Sequence, residues 1–283
     1  MEHPKEPEFP AQENFNYYLR KREASPKTIA SCMTACRLFF SLFPQTDLPN
    51  LKEFKRYLLK TYKSSTVNNR IYGINCYLDS LNLPAEDPLC NFRLSTVKEQ
   101  QAPFLDNVIS QEDYQRMKEG LKRDGNMLWY FVVRFLAATG VRVSELLQIK
   151  MEHLTLEYMD LYSKGGKIRR IYFPKNLCRE AMEWFHLQGV KTGFLFLNRR
   201  GKPLTPRGVG SQLKAFALRY GVSPETVYPH SFRHRFAKNF LGKFDDISLL
   251  ADLMGHDSIE TTRIYLNRTS NEQRELIDKI VTW

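Results

Sequence analysis

Six side chains able to do acid–base or anion chemistry follow one another through the second half of the sequence: Arg142, Lys164, His230, Arg233, His256 and Tyr265. Arg233 stands three positions after His230, and Tyr265 nine positions after His256. A phenol, with an ordinary pKa of about 10, attacks poorly at neutral pH, so a reactive tyrosine needs positive charge and a proton acceptor beside it. The arginines and histidines supply both. When a phosphate is attacked, its nonbridging oxygens gain charge at the pentacoordinate stage. Planar, permanently charged guanidinium forks, such as Arg142 and Arg233 carry, are suited to hold oxygens of that kind in fixed geometry. Glu145, three residues after Arg142, is either a group that orients this basic site or an ordinary helix-surface acid. His234 and His153 read as structural.

The elements that must carry these side chains follow from spacing. Residues 127–147 read as an apolar helix, a turn at Thr139-Gly140, and a second helix that starts at Arg142 and bears Glu145, Leu146 and Leu147. Residues 158–163 and 168–173 flank Lys164-Gly165-Gly166-Lys167, and two glycines between alternating runs predict a hairpin with a tight primed turn. Lys164 stands beside its tip. Residues 194–197 and the turn Asn198-Arg199-Arg200-Gly201 predict a further short strand and loop. Phe232, Phe236, Ala237, Phe240 and Leu241 form one helix face, and burying it aims His230 and Arg233 at a common site. A helix from Asp246 through Leu249, Leu250, Leu253 and Met254 ends at Gly255, a natural C-cap, with His256 next. Ser258 caps a helix that carries Tyr265.

Ahead of this region lies a basic, helical segment. The 283 residues carry 42 Lys+Arg against 31 Asp+Glu, a formal charge of +11, and residues 20–70 hold eleven of the cations and only three acids. Ile29, Met33, Cys36, Phe39, Phe40 and Phe43 recur at helical steps, as do Phe54, Tyr57, Leu58 and Tyr62. With Pro26, Pro49 and Ser65 as start signals, four short helices are expected over about residues 11–83. Their polar faces collect Lys and Arg, which suits the phosphates of a duplex as well as a solvated surface. From Pro84 to about Ser110 the apolar rhythm fades, and Ser110-Gln111-Glu112-Asp113 then opens a helix. The expected division is a tail over 1–10, a helical domain over 11–95, a linker over 96–109 and a second domain over 110–283.

Several classes are disfavoured. The most apolar stretch, 127–140, is interrupted by Arg134 and is shorter than the roughly 20 residues of a membrane helix, so no membrane span is expected. The opening Met1-Glu2-His3-Pro4 lacks the pattern of a secretory signal, and a cytoplasmic address is expected. The five cysteines include no CxxC pair, which argues against a disulfide framework and a structural zinc site. Acidic clusters for Mg²⁺, zinc-like histidine spacing, a Walker loop and a GxGxxG are all missing from the sequence, and no metal or cofactor is expected.

Taken together, residues 139–146, 164–169 and 230–234, Met254-Gly255-His256 and Tyr265 resemble the tyrosine recombinases, or phage-type integrases. The resemblance covers nearly the whole chain. It implies a mainly α fold with a small antiparallel sheet, in which a helical core-binding domain and an α+β catalytic domain form a C-shaped clamp on double-stranded DNA. It implies site-specific recombination in which Tyr265 cleaves a strand to leave a 3′-phosphotyrosine and a free 5′-hydroxyl, with no ATP. Arg142 and Arg233 then clamp the phosphate, and Lys164, with Lys167 as the alternative, protonates the leaving oxygen. His230 exchanges a proton with the tyrosine, and His256 hydrogen-bonds the phosphate. A homo-tetramer on two synapsed sites is implied, together with room for accessory DNA-bending or directionality proteins. Type IB topoisomerase-like relaxation and a noncatalytic DNA-binding regulator are the alternatives. Beyond Tyr265, Leu276, Ile277, Ile280 and Val281 recur at helical spacing, ending at Trp283. The resemblance suggests that this stripe docks on a neighbouring protomer, while packing on its own domain is the plainer reading.

Overall fold

The computed structural model describes residues 9–98, 107–162, 168–256, 258–263 and 265. The chain divides into two compact units, one ending at Gln100 and the other beginning at Gln101.

The first unit is built on four helices, α1 (Gln12–Lys21), α2 (Pro26–Leu42), α3 (Leu48–Thr61) and α4 (Ser64–Ser80). Ser25 caps α2 by accepting from the Thr28 amide at 3.1 Å, with Pro26 in the first turn, and Asp47 caps α3 by accepting from the Asn50 amide at 2.8 Å. Ser65 is not the start signal expected of it: α4 already begins at Ser64, and its N-cap, Lys63, makes no side-chain cap. Phe15, Phe39, Phe54, Leu51, Leu58, Ile71 and Ile74 are fully buried between the helices, so the helical spacing in the sequence was that of a core.

Two expectations about the edges of this unit are corrected. Phe9 is buried and stacks on Phe40, so the packed unit starts within the expected 1–10 tail. The stretch from Pro84 packs on the unit as the expected 11–95 domain requires, and the contact continues to Val97, inside the expected 96–109 linker. Leu89 and Leu94 are buried, and two asparagines seven residues apart on α4 hold the strand-like strap through paired backbone bonds. Asn75 exchanges bonds with Leu94 N and O, both at 2.9 Å, and Asn68 with Val97 N and O at 2.8 and 3.0 Å. Prolines broke the apolar period there, while side-chain amides supplied the pairing that a helix would otherwise give.

The second unit runs α5 (Gln111–Arg123), α6 (Met127–Thr139), α7 (Val143–Leu146), α8 (Met151–Leu156), β1 (Tyr158–Tyr162), β2 (Ile168–Tyr172), α9 (Lys175–Leu187), α10 (Pro206–Arg219), α11 (Pro229–Leu241), α12 (Ile247–Met254) and α13 (Glu260–Arg263). Helix α6 is buried on almost every side, and Phe131 and Phe135 join Phe185, Phe196 and Phe232 at the centre of the core. The fold is thus mainly helical, with one two-stranded antiparallel sheet among the described residues. Its register pairs Tyr158 with Tyr172 and Leu161 with Arg169. The hairpin tip with Lys164 and Lys167 lies outside the described residues, as does the stripe over 276–283. The expected strand over 194–197 is present only as two isolated bridges, Lys150 with Phe194 and Leu197 with Pro203. The segment changes partner midway, Leu195 N donating to Ile149 O at 3.1 Å and Phe196 O accepting from Leu204 N at 3.0 Å, so no continuous ladder forms on either side. No helix among the described residues is long and apolar enough to cross a membrane.

Candidate active site

Two glycine-ended helices deliver the site. Gly140 closes α6 with φ +62°, and a Cβ there would lie 2.5 Å from the Phe236 ring, so both backbone and packing demand glycine. The chain turns at once into Arg142, the N-cap of α7. Glu145 accepts from the Arg142 amide through Oε2 at 2.8 Å and from Arg142 Nη1 through Oε1 at 2.8 Å. Gly255 closes α12 in the same way, with φ +62°, and presents His256.

Helix α11 aligns His230, Arg233 and His234 at positions i, i+3 and i+4, which face one way. Arg233 is buried and donates to Gly140 O at 2.7 Å and to Met254 O at 2.6 Å, joining both glycine turns. Arg142 Nη2 donates to Gly255 O at 3.0 Å. The guanidiniums of the sequence motif therefore converge on the carbonyl end of α12, where helix carbonyls carry partial negative charge.

Tyr265 has 3₁₀-helical backbone two positions beyond the end of α13, and Ser258 Oγ accepts from the Glu260 amide at 3.2 Å as a cap. Its ring is buried, and its hydroxyl lies 2.9 Å from Nδ1 of His234. The phenol's neighbour is thus His234, which sequence spacing had marked as structural; the i+4 step from His230 was the signal that could have found it. His230 and His234 have ring centroids 6.4 Å apart. His256 stacks on Tyr265 at 6.4 Å with an interplanar angle of 10°, and its Nδ1 lies 2.7 Å from Thr262 Oγ1. Glu145, which could have been a surface acid, is buried. A second residue that spacing did not assign, Arg169 on β2, reaches the same carboxylate, donating Nη1 to Glu145 Oε1 at 2.9 Å. His153 makes a local contact, accepting from the Lys150 amide at 3.1 Å.

Burial and clustered positive charge set the protonation states. Burial, then the charges of Arg142 and Arg169, bring Arg233 down to about 10, still a cation at neutral pH. Burial, His230 and Arg233 hold His234 down to about 4, and burial with Arg233, Arg142 and Arg169 does the same to His256. His230 is lowered by burial, Arg233 and Arg142. Burial raises Tyr265 above its ordinary value against the pull of Arg233 and Arg142. For Glu145 burial opposes ionisation, yet the backbone bond from Arg142 and the charge of Arg169 prevail and its carboxyl stays below the ordinary value. The outcome is a field of fixed cations with neutral imidazoles beside a protonated phenol. Such a field suits a phosphate diester. No group of three His, Cys, Asp or Glu among the described residues could hold a metal ion.

Residues 107–272 match the Phage integrase family, more than half of the chain. The chain belongs to this family. It is a tyrosine-type site-specific recombinase, an enzyme that cuts and rejoins DNA. The recombinase is 28% identical over 284 residues to tyrosine recombinase XerC of Staphylococcus carnosus, covering 94% of this chain and 95% of that relative. Against tyrosine recombinase XerA of Pyrococcus furiosus it is 29% identical over 280 residues, covering 94% and 92%. Among solved structures it superimposes on the Tn1549 transposon integrase in complex with transposon right end DNA, with TM-score 0.70, 16% identity and coverage of 96% and 99%. For XerH site-specific recombinase bound to a palindromic difH substrate, in a post-cleavage complex, the TM-score is 0.69, with 20% identity and coverage of 94% and 82%. These two likenesses establish the fold.

Proposed function

We propose that the recombinase cleaves each strand of double-stranded DNA through Tyr265. The phenol oxygen attacks the scissile phosphorus, the bond to the 5′ oxygen breaks, and a 3′-phosphotyrosine remains. The phenol's proton passes to Nδ1 of His234, the nearer imidazole at 2.9 Å. Lys164 donates a proton to the leaving 5′ oxygen, so the step is balanced and its reversal on a partner strand completes exchange. Arg142 and Arg233 hold the nonbridging oxygens, joined by His256 and by His230, whose ring feels both guanidiniums. The observation that carries this reading is the meeting of Tyr265, His234 and Arg233 at one end of α11. Tyr265→Phe removes only the attacking oxygen. On a nicked suicide substrate this variant is expected to bind DNA within about 3-fold of the parent and to form no covalent complex; retained trapping would falsify the assignment.

Exchange requires more than one protomer, and a homo-tetramer on two synapsed sites, in the cytoplasm where such DNA is held, completes the proposal, with accessory DNA-bending proteins left to the particular site. The stripe over 276–281 supplies the link between protomers. Its receptor is an apolar groove of about 540 Å³ on the second unit, lined by Phe236, Phe240 and Phe244 and flanked by Lys238 and Lys243. Those lysines complement Asp278 within the stripe and Glu272 and Glu275 just ahead of it. Related lambda integrase, residues 75–356, is known as a dimer bound to a COC' core site.

A further inference from the structure

Three guanidiniums meet the end of α12, and two of them have a place in the chemistry above. The third is Arg169. Its Nε donates to Leu253 O at 3.0 Å, next to Met254 O and Gly255 O, which Arg233 and Arg142 occupy. Its Nη1 shares Glu145 Oε1 with Arg142 Nη1, at 2.9 and 2.8 Å. Its Nη2 is buried without a partner among the described residues. Its Cδ fills the place that a Cβ on Gly255 would take, so the glycine before His256 leaves room for this side chain.

An ion pair for Glu145 alone would need one arginine. A second one repels Arg142, sets three positive charges around the turn against a single carboxylate, and leaves a buried donor without a partner among the described residues. Stability does not explain such an arrangement, whereas placement does. One rigid fork ties β2 to the carboxylate that fixes Arg142 and to the turn that presents His256.

We propose that Arg169 is a positioning residue for the phosphate clamp, locking Glu145, and through it Arg142, to the Leu253–Gly255 turn. This rests on the reading of Arg142 and Tyr265 above. A misplacement of about 1 Å at the clamp costs about 100-fold in rate. Arg169→Met is therefore expected to lose about 100-fold in covalent-complex formation on a phosphodiester suicide substrate while binding DNA within about 3-fold. A methylphosphonate at the scissile position replaces one charged nonbridging oxygen by methyl and so lessens the demand on the clamp. On that substrate the loss is expected to shrink to below about 10-fold, a recovery that a merely structural defect would not show.

Equal losses on the two substrates, or near-parental cleavage of the phosphodiester, would overturn the proposal. If Arg169→Met does not fold, Arg169→Lys, which keeps the charge and one contact, is read by the same comparison; failure of both to fold makes the residue structural and also overturns it. Parental protein run alongside separates the two readings. Without a covalent complex there, the assignment of Tyr265 fails first and takes this proposal with it.

Discussion

Tyr265 and His234 share one hydrogen bond in surroundings that push their pKa values apart, the phenol up and the imidazole down to about 4. Burial drives both shifts because each disfavours a charge, so at neutral pH one proton lies between them and the imidazole is free to accept it. The same burial gives a stability signature. In the unfolded chain His234 and His256 take up protons near pH 6.5, whereas in the folded chain they do so only near pH 4. Between those values the unfolded state binds more protons, so folding stability falls as pH drops through this window and the loss levels off below it. Glu145, whose carboxyl is held below its ordinary value, adds its own loss only further into acid. Thermal melts between pH 7 and 4.5 are expected to show a falling midpoint for the parent and a flatter one for a His234→Gln, His256→Gln double variant. Parallel curves would mean that these imidazoles titrate normally in the folded protein.

At the scale of elements, the two glycine turns do the placing. Each ends a helix with φ +62°, and each has its missing Cβ position filled by another element, the Phe236 ring at Gly140 and the Arg169 stem at Gly255. Gly255→Ala therefore meets two penalties, left-handed backbone and overpacking, together about 2 to 4 kcal/mol, or roughly 5 to 10 °C in melting temperature. Gly201, with φ +72° and nothing within 4 Å of a Cβ, meets only the first, so Gly201→Ala is expected to melt at least about 3 °C above Gly255→Ala. Equal melting would show that the Arg169 contact gives way. The sequence revealed these turns because a glycine after an apolar helix has few other uses. The helix starts at Pro26 and Ser110 and the faces of α2 and α11 were legible for similar local reasons. Asn68 and Asn75 were not, since an asparagine that pairs a distant backbone looks like any surface polar residue until its strap is folded onto it. Arg169 was hidden by the same logic, because its importance lies in carbonyls 84 residues further on.

Across the whole molecule, the two units divide the labour visible in the charge pattern. The first has its own aromatic core and exposes Arg20, Lys21, Arg22, Lys27, Lys52, Arg56, Lys60 and Lys63, a charge balance that suits phosphates as well as a solvated surface. The second carries the chemistry around a separate core and leaves the groove beside Phe236, Phe240 and Phe244 at the far end of α11, the helix that holds His234. A stripe docked in that groove would bear on the helix that carries His234, and assembly and catalysis would then share one element. Replacing Ile277 and Ile280 together by Asp places charge on the stripe without touching α11. If the stripe docks in trans, this variant melts within about 2 °C of the parent monomer and binds a single DNA site normally, while synapsis and strand exchange fall at least about 10-fold. Charging a stripe that packs on its own domain instead costs several kcal/mol, so the monomer would melt about 10 °C or more below the parent, and the tail would leave the assembly mechanism.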